Sequence, residues 1–221
     1  MKVIISGYGK MGHMVEQVLA RRGIELALAS EDVCGIDKAL ASQCVCIDFT
    51  TPEAFRANYK TLAANFKAVV VGTTGWYDIK DEVFAAFEKE GTTLVWGSNF
   101  SVGVIATFAA VERASEILRG AGYTPHIEEI HHIHKLDAPS GTAKSLGAIV
   151  EKALGTAPVI DSQRIGEVPG THITEFASDV DRISITHEAF SRQGFAEGAV
   201  TAAVMTEELN GIFEFKDLIL K

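Results

Sequence analysis

Gly7-Tyr8-Gly9-Lys10-Met11-Gly12 is the stretch on which the fold turns. It follows a short apolar run, residues 3–6, and leads into residues 11–22, where apolar positions recur at helical spacing and Gly23 is placed to end the helix. In a G-x-G-x-x-G between a strand and a helix, the glycines allow a tight turn, close approach of backbone to a pyrophosphate, and close helix–strand packing. The helix N-terminus behind it offers free N–H groups and a positive dipole end to phosphates. A second strand, residues 24–29, ends at Glu31, 19 residues beyond Gly12, where a carboxylate would accept hydrogen bonds from the adenosine ribose hydroxyls. Asp32 follows and no Arg stands at that strand end. Two carboxylates would repel a ribose 2′-phosphate, so the expected cofactor is NADH in preference to NADPH.

The alternation continues outward. Residues 44–49 read as a third strand, Thr51-Pro52-Glu53 as a helix start with Pro at an early position, and that helix runs to about residue 64. Residues 68–71 form a fourth strand ahead of Gly72-Thr73-Thr74-Gly75, residues 78–89 a helix, and residues 93–96 a fifth strand. Strands separated by helices in this way indicate a parallel sheet with right-handed crossovers. After residue 100 the pattern changes to a helix over 104–118, a strand over 126–132 and a helix over 140–154. Residues 173–178 and 182–187 have period-two character and are joined by Asp179-Val180-Asp181, which predicts an antiparallel hairpin. A helix over 198–209 and an apolar segment over 215–220 close the chain. The expected class is α/β, with a Rossmann-like parallel-sheet cofactor domain (residues 1–101 and 193–221) and a smaller α+β substrate domain (residues 102–192).

With 221 residues, 47% of them hydrophobic and 22% charged, the chain can bury a core and is too apolar to be disordered. No apolar run approaches the roughly 18 to 20 residues of a membrane span, and the first residues run straight into the glycine motif without a signal peptide, so a cytoplasmic protein is expected. A net charge of −9 with no basic block excludes nucleic acid and anionic membranes as expected partners. Cys34, Cys44 and Cys46 are too few and too irregular for a disulfide framework. Cys44 and Cys46 read as small apolar residues of a buried strand; a redox or metal pair is the alternative, and no second ligand pair accompanies it.

The chemistry concentrates in residues 129–143, Glu-Ile-His-His-Ile-His-Lys-Leu-Asp-Ala-Pro-Ser-Gly-Thr-Ala. Three histidines in four residues raise a zinc hypothesis, with His132 and His134 on one face of an extended backbone and His131 on the other, but nothing completes a tetrahedral set and no metal is assigned. Proton transfer fits better, because His titrates near working pH and Lys135 adds a cation four residues on. Pro139 fixes the entry to a helix, Ser140 is a good cap, and the amides of Gly141 and Thr142 would form an anion pocket at its N-terminus. Histidines, a lysine and an anion pocket suggest a substrate that carries carboxylates. A nucleotide-binding sensor without turnover and a zinc-dependent hydrolase are the readings from other classes.

The run E-x-H-H-x-x-K-x-D-A-P-S-G-T-A resembles the signature of the dihydrodipicolinate reductase family. So do Ile47-Asp48-Phe49-Thr50, Gly72-Thr73-Thr74-Gly75, residues 99–104 (Asn-Phe-Ser-Val-Gly-Val) and Val168-Pro169-Gly170-Thr171, in order along essentially the whole chain. The resemblance implies reduction of 4-hydroxy-tetrahydrodipicolinate to tetrahydrodipicolinate with NADH or NADPH, on the route to diaminopimelate and lysine. It implies His131 as proton donor or acceptor and Lys135 as proton donor, with His132, Ser140, Gly141 and Thr142 holding the substrate carboxylates. Gly7, Tyr8, Gly9, Lys10, Met11, Gly12 and Glu31 would hold the pyrophosphate and ribose; Gly72, Thr73, Thr74, Gly97, Ser98, Asn99 and Phe100 would line the nicotinamide side. It also implies a homotetramer assembled through the sheet of the second domain, with the 173–178/182–187 hairpin as the contact. The chain departs from the family pattern twice. Its glycine stretch is one residue shorter than the common G-x-x-G-[RK]-M-G, and the segment between Glu31 and Cys44 is short, which trims the cofactor domain.

Overall fold

Runs such as Val3-Ile4-Ile5 and Ala68-Val69-Val70-Val71 have no polar alternation, so they are stable as strands only when both faces are covered. The computed structural model describes residues 1–221 and divides them into two compact units, Met1–Ser101 with Gln193–Lys221, and Val102–Arg192. In chain order the elements are β1 (Lys2–Ser6), α1 (Lys10–Arg21), β2 (Glu25–Ser30), α2 (Lys38–Ala41), β3 (Cys44–Asp48), α3 (Pro52–Asn65), β4 (Ala68–Val71), α4 (Lys80–Glu90) and β5 (Thr93–Trp96). The second unit carries α5 (Val102–Leu118), β6 (Thr124–His131), α6 (Gly141–Leu154), β7 (Val159–Arg164), β8 (Thr171–Ala177) and β9 (Arg182–Glu188). The chain then returns to the first unit as α7 (Gln193–Met205), β10 (Ile212–Glu214) and α8 (Phe215–Ile219).

The sheet of the first unit has the order β10-β5-β4-β3-β1-β2 and every pair is parallel. Strand order reverses at β1, which makes its C-terminal end the switch point where open α/β sheets take ligands. On one face Ile4, Cys44, Cys46, Val69, Val71 and Leu94 meet Phe55 and Leu62 of α3 and Val83 and Phe87 of α4. The two cysteines thus serve as small apolar residues, and burial pushes the Cys46 thiol well above its ordinary range. On the other face α7 crosses β3 and β4 beside α1. Apart from Val200 its buried positions are small (Ala196, Gly198, Ala199, Ala202 and Ala203), so the helix lies close. A Cβ on Gly198 would overlap the carbonyl oxygen of Phe100.

The second sheet has the order β7-β6-β8-β9, with β6–β7 parallel and the other pairs antiparallel. Burial alternates along it. Ile127, Glu129 and His131 of β6 and His172, Thr174 and Phe176 of β8 point to the face where α5 and α6 pack. Thr171, Ile173, Glu175 and Ala177, on the opposite face, are only half-buried. No helix is long and apolar enough to cross a membrane.

Several expectations need correction. The helix expected over 198–209 runs from Gln193 to Met205, and Gly198 within it is a close-packing position and not a breaker. β6 ends at His131, so His132 and His134 lie in a loop and share no strand face, although their rings stand 6.0 Å apart. The strand β7 escaped the pattern because Val159, Asp161, Ser162 and Gln163 are exposed and only Ile160 and Arg164 are half-buried. α2 and β10 are too short to show periodicity.

Because the Gly198 contact is with backbone, no rotamer change can relieve it. Gly198→Ala is expected to destabilise the protein by about 1–3 kcal/mol. A urea midpoint unchanged from that of the parent chain would contradict this packing.

Candidate active site

The glycine turn carries two kinds of glycine. Gly7 has φ +85°, and a Cβ there would overlap the Phe49 carbonyl, while a Cβ on Gly12 would overlap the carbonyl oxygen of Gly7. Those two are demanded by the protein's own packing. Gly9 is different: a Cβ there meets nothing within 4 Å. Gly9 is also the N-cap of α1 and has no side chain with which to satisfy the first-turn amides. The space beside it and the open amides fit a pyrophosphate. Glu31 stands next to this turn, its carboxylate accepting a hydrogen bond from Tyr8 N at 3.3 Å. Asp32 instead accepts from Cys34 N (2.9 Å) and Gly35 N (3.3 Å), so its carboxylate is turned into the following bend and not toward a ribose. Lys10 is exposed at the first helical position, Met11 is half-buried, and the Tyr8 hydroxyl donates to Glu16.

Asp48, the last residue of β3, is fully buried and ties three neighbouring strand ends together. Its carboxylate accepts from Ser6 Oγ (2.6 Å), Thr73 Oγ1 (2.5 Å) and Thr50 Oγ1 (3.1 Å), while Thr50 N donates to Thr73 Oγ1 at 2.8 Å. Burial raises the Asp48 pKa, and the hydroxyl hydrogen bonds pull against that rise. Thr73 is expected from the sequence to line the cofactor site, but its hydroxyl is directed inward at Asp48. Phe100 likewise is buried and stacked on Phe215 at 4.7 Å. Side chains open to a ligand at these loops are those of Thr74 and Ser98, which are exposed, and Asn99, whose Oδ1 accepts from Ser101 N. Gly72 admits the Phe49 ring where a Cβ would collide, and Gly97 is packed against Phe215.

In the second unit the strand alternation places Glu129 and His131 on the same buried face. Glu129 is wholly buried and its Oε2 accepts from His131 Nδ1. Its Oε1 accepts from Arg164 Nη2 (2.9 Å) and Ser140 N (3.3 Å). Burial pushes the Glu129 carboxyl up, but bonds from Arg164, Ser162 and His131 outweigh it and hold the pKa below the ordinary value. An ionised Glu129 cannot donate, so Nδ1 carries the His131 proton and Nε2 is left as the free ring nitrogen. Burial lowers the His131 pKa against the opposing effect of Glu129, with Lys135 and Arg164 lowering it further. A Cβ on Gly170 would stand 2.9 Å from Nε2, so the glycine keeps that nitrogen uncovered.

Lys135 Nζ pairs with Asp137 Oδ1 at 2.7 Å in the loop after β6. His132 Nε2 stands 3.5 Å from Arg192 Nη2, and its Nδ1 is buried without a partner. Gly141 and Thr142 open α6 with amides that have no intrahelical acceptor, and a Cβ on Gly141 meets nothing within 4 Å. Ser140 is not a surface ligand: its Oγ caps Ala143 N (3.2 Å), bonds His172 Nε2 (3.0 Å) and is buried. His134 is exposed and faces Glu167. Asp48, Arg164, His172 and Arg192 were missed in the sequence. Asp48 left a trace, as the one acid closing the apolar run Cys-Val-Cys-Ile, and His172 directly follows Pro169-Gly170-Thr171. Glu129, His131 and His172 each offer a metal-ligating atom within 4.8 Å of one another. The donor types suit zinc, but the Arg164 guanidinium already compensates the carboxylate and would repel a second cation.

A glycine turn open to phosphates at the switch point of a parallel sheet is the geometry of a dinucleotide site, which marks the class of pyridine-nucleotide-dependent oxidoreductases. Residues 1–100 match the N-terminal and residues 103–219 the C-terminal model of dihydrodipicolinate reductase, and the chain belongs to that family. It is 36% identical to the 4-hydroxy-tetrahydrodipicolinate reductase of Christiangramia forsetii, covering 99% of this chain and 98% of the relative. It is 37% identical to the enzyme of the same name from Ralstonia nicotianae, with 99% of each covered. The dipicolinate-bound dihydrodipicolinate reductase of Paenisporosarcina sp. TG-14 shares the fold, with a TM-score of 0.80, 19% identity and 99% of both chains covered.

Two outcomes are expected. Gly9→Ala should leave the melting temperature nearly unchanged while weakening NADH binding, followed by fluorescence, by about tenfold or more; unchanged affinity would remove Gly9 from the cradle. The second concerns His172, whose pKa burial and the neighbouring His131 push down from 6.5 to about 4. The unfolded chain therefore binds more protons than the folded one between those values, and stability falls as pH drops from 6.5 toward 4 by up to about 3 kcal/mol from this group. His172→Gln should flatten the pH dependence of the melting temperature across that window.

Proposed function

We propose that the chain reduces 4-hydroxy-tetrahydrodipicolinate to tetrahydrodipicolinate with a nicotinamide cofactor, on the cytoplasmic route to diaminopimelate and lysine. The observation that carries this reading is the match of both units, in order, to the two halves of one reductase family. The conversion replaces a hydroxyl by hydrogen, so a hydride must arrive and the hydroxyl must leave as water with a proton. The nicotinamide cofactor, when bound, supplies the hydride. Gly9 and the first-turn amides of α1 hold the pyrophosphate, and Glu31 accepts the ribose hydroxyls in place of its present bond from Tyr8 N. Glu31 alone reads the ribose, since Asp32 is engaged in its own bend, and its charge still disfavours a 2′-phosphate.

The amides of Gly141 and Thr142, the unpartnered Nδ1 of His132 and the Lys135 ammonium bind the substrate's carboxylates. Lys135 Nζ donates the proton that leaves with the hydroxyl. His131 exchanges a proton at Nε2, the nitrogen that the Glu129 bond leaves free. The outer face of β6, β8 and β9, half-buried along β8 and exposed along β9, is the surface through which four chains assemble.

His131→Ala and Lys135→Ala should lose about 10²–10⁴-fold in kcat with little change in KM, whereas Thr142→Ala should mainly raise KM. The assay follows NADH absorbance with substrate formed in situ from pyruvate and aspartate semialdehyde. Normal turnover by Lys135→Ala would refute its role. A higher kcat/KM with NADPH than with NADH would overturn the cofactor preference.

A further inference from the structure

Arg164 ends β7 directly beside His131, its partner in the parallel register. Its guanidinium makes four hydrogen bonds. Nη2 donates to Glu129 Oε1 (2.9 Å) and to the carbonyl oxygen of Asp137 (2.5 Å), Nε to the carbonyl oxygen of Lys135 (3.3 Å), and Nη1 to that of Gln163 (2.6 Å). Only 20% of the side chain is exposed. One group therefore holds, at the same time, the carboxylate that orients His131 and the loop that carries Lys135.

Another side-chain tie of that loop, His134 Nε2 to Glu167 Oε1 at 3.2 Å, joins two exposed groups. The loop's large apolar residues Ile133 and Leu136 are 59% and 98% exposed, so hydrophobic burial does little to fix the segment. One backbone bond within it, Lys135 N to His132 O at 3.1 Å, closes a local turn, and Ile133 N to Gly166 O (3.1 Å) ties only its start. Between Lys135 and Asp137 the two carbonyls captured by Arg164 set the position of the main chain. The planar fork of arginine can serve two carbonyls and a carboxylate in fixed directions, which the single ammonium of lysine cannot do.

We propose that Arg164 is a positioning residue of the reaction, fixing His131 (through Glu129) and Lys135 at a set separation so that they act on the substrate as one unit. The inference rests on the reading of His131 and Lys135 as the proton-handling pair. It predicts that loss of the fork misplaces both groups by a fraction of an ångström to an ångström, an error that lowers turnover and not nucleotide binding.

The test compares Arg164→Lys and Arg164→Ala in the full chain, each alone and combined with Lys135→Ala, by steady-state kinetics, NADH affinity and thermal melting. Arg164→Ala is expected to lower kcat by about 10²-fold, leave NADH affinity within twofold, and regain activity on addition of millimolar guanidinium. Arg164→Lys should melt close to the parent and still lose about tenfold in kcat, which keeps the test sharp if the alanine variant folds poorly. In the Lys135→Ala background the Arg164→Ala loss should shrink well below 10²-fold, because the loop no longer carries a group to place. Parent-level kcat in Arg164→Lys, or a loss of equal size in the two backgrounds, would overturn the proposal. If His131→Ala and Lys135→Ala both turn over normally, the underlying assignment fails instead, whatever the Arg164 variants do.

Discussion

A carboxylate removed from water must be given hydrogen bonds, and each unit of this protein is organised around one such group near the C-terminal end of a strand. In the first unit it is Asp48, at the end of β3, and in the second it is Glu129, two residues before the end of β6. Neither could be buried alone. The donors each one gathers lie at strand ends, just beyond them or at a helix cap, so satisfying the carboxylate also fixes where the adjoining loops begin. Asp48 collects the hydroxyls of Ser6, Thr50 and Thr73, and these open the glycine turn, the loop before α3 and the loop after β4. Glu129 collects Arg164, His131 and the amide of Ser140, which end β7, end β6 and cap α6.

The two solutions differ in charge, and the difference suits what each unit does. Asp48 has only neutral donors, so desolvation prevails and its pKa rises. A scaffold beneath a phosphate-binding turn needs its strand ends held and gains nothing from a mobile proton there. Glu129 is faced by a guanidinium, which keeps it ionised and lets it dictate which nitrogen of His131 bears hydrogen. In a chain of net charge −9, Arg164 and Lys135 are balanced by Glu129 and Asp137, which leaves Arg192 and the free end of α6 as local positive groups. That local field is what a dicarboxylate needs to bind.

Much of this was legible in the sequence because it has a local signature. The glycine turn, the strands of Val and Ile, the Thr51-Pro52 helix start and the Ser140 cap all depend on residues within one turn of each other. The candidate pair His131 and Lys135 was legible for the same reason. Arg164 was not, since it lies on an edge strand whose exposed polar residues give no period and three of its four partners are 27 to 35 residues away. Thr73 and Ser140 turn their hydroxyls inward in a consistent way. Each sits in a loop that faces a ligand, yet a short hydroxyl side chain there is as well placed to satisfy a buried neighbour, Asp48 in one case and His172 in the other. The sequence shows which loops matter and leaves open which way their hydroxyls turn.

The division of work between His131 and Lys135 follows from the same burial. His131 lies at the covered face of the sheet, and desolvation together with the nearby cations of Lys135 and Arg164 favours the neutral ring. A neutral imidazole whose Nδ1 proton is committed to Glu129 has only a lone pair to offer at Nε2, so it receives a proton before it can give one. Lys135 differs: half-buried in the loop after β6, it is paired with Asp137 and has no lone pair while charged. Of the two, only the ammonium can protonate a departing hydroxyl directly, and the imidazole is the group placed to accept. The proposed roles, Lys135 as acid and His131 as base, rest on this difference between the two groups.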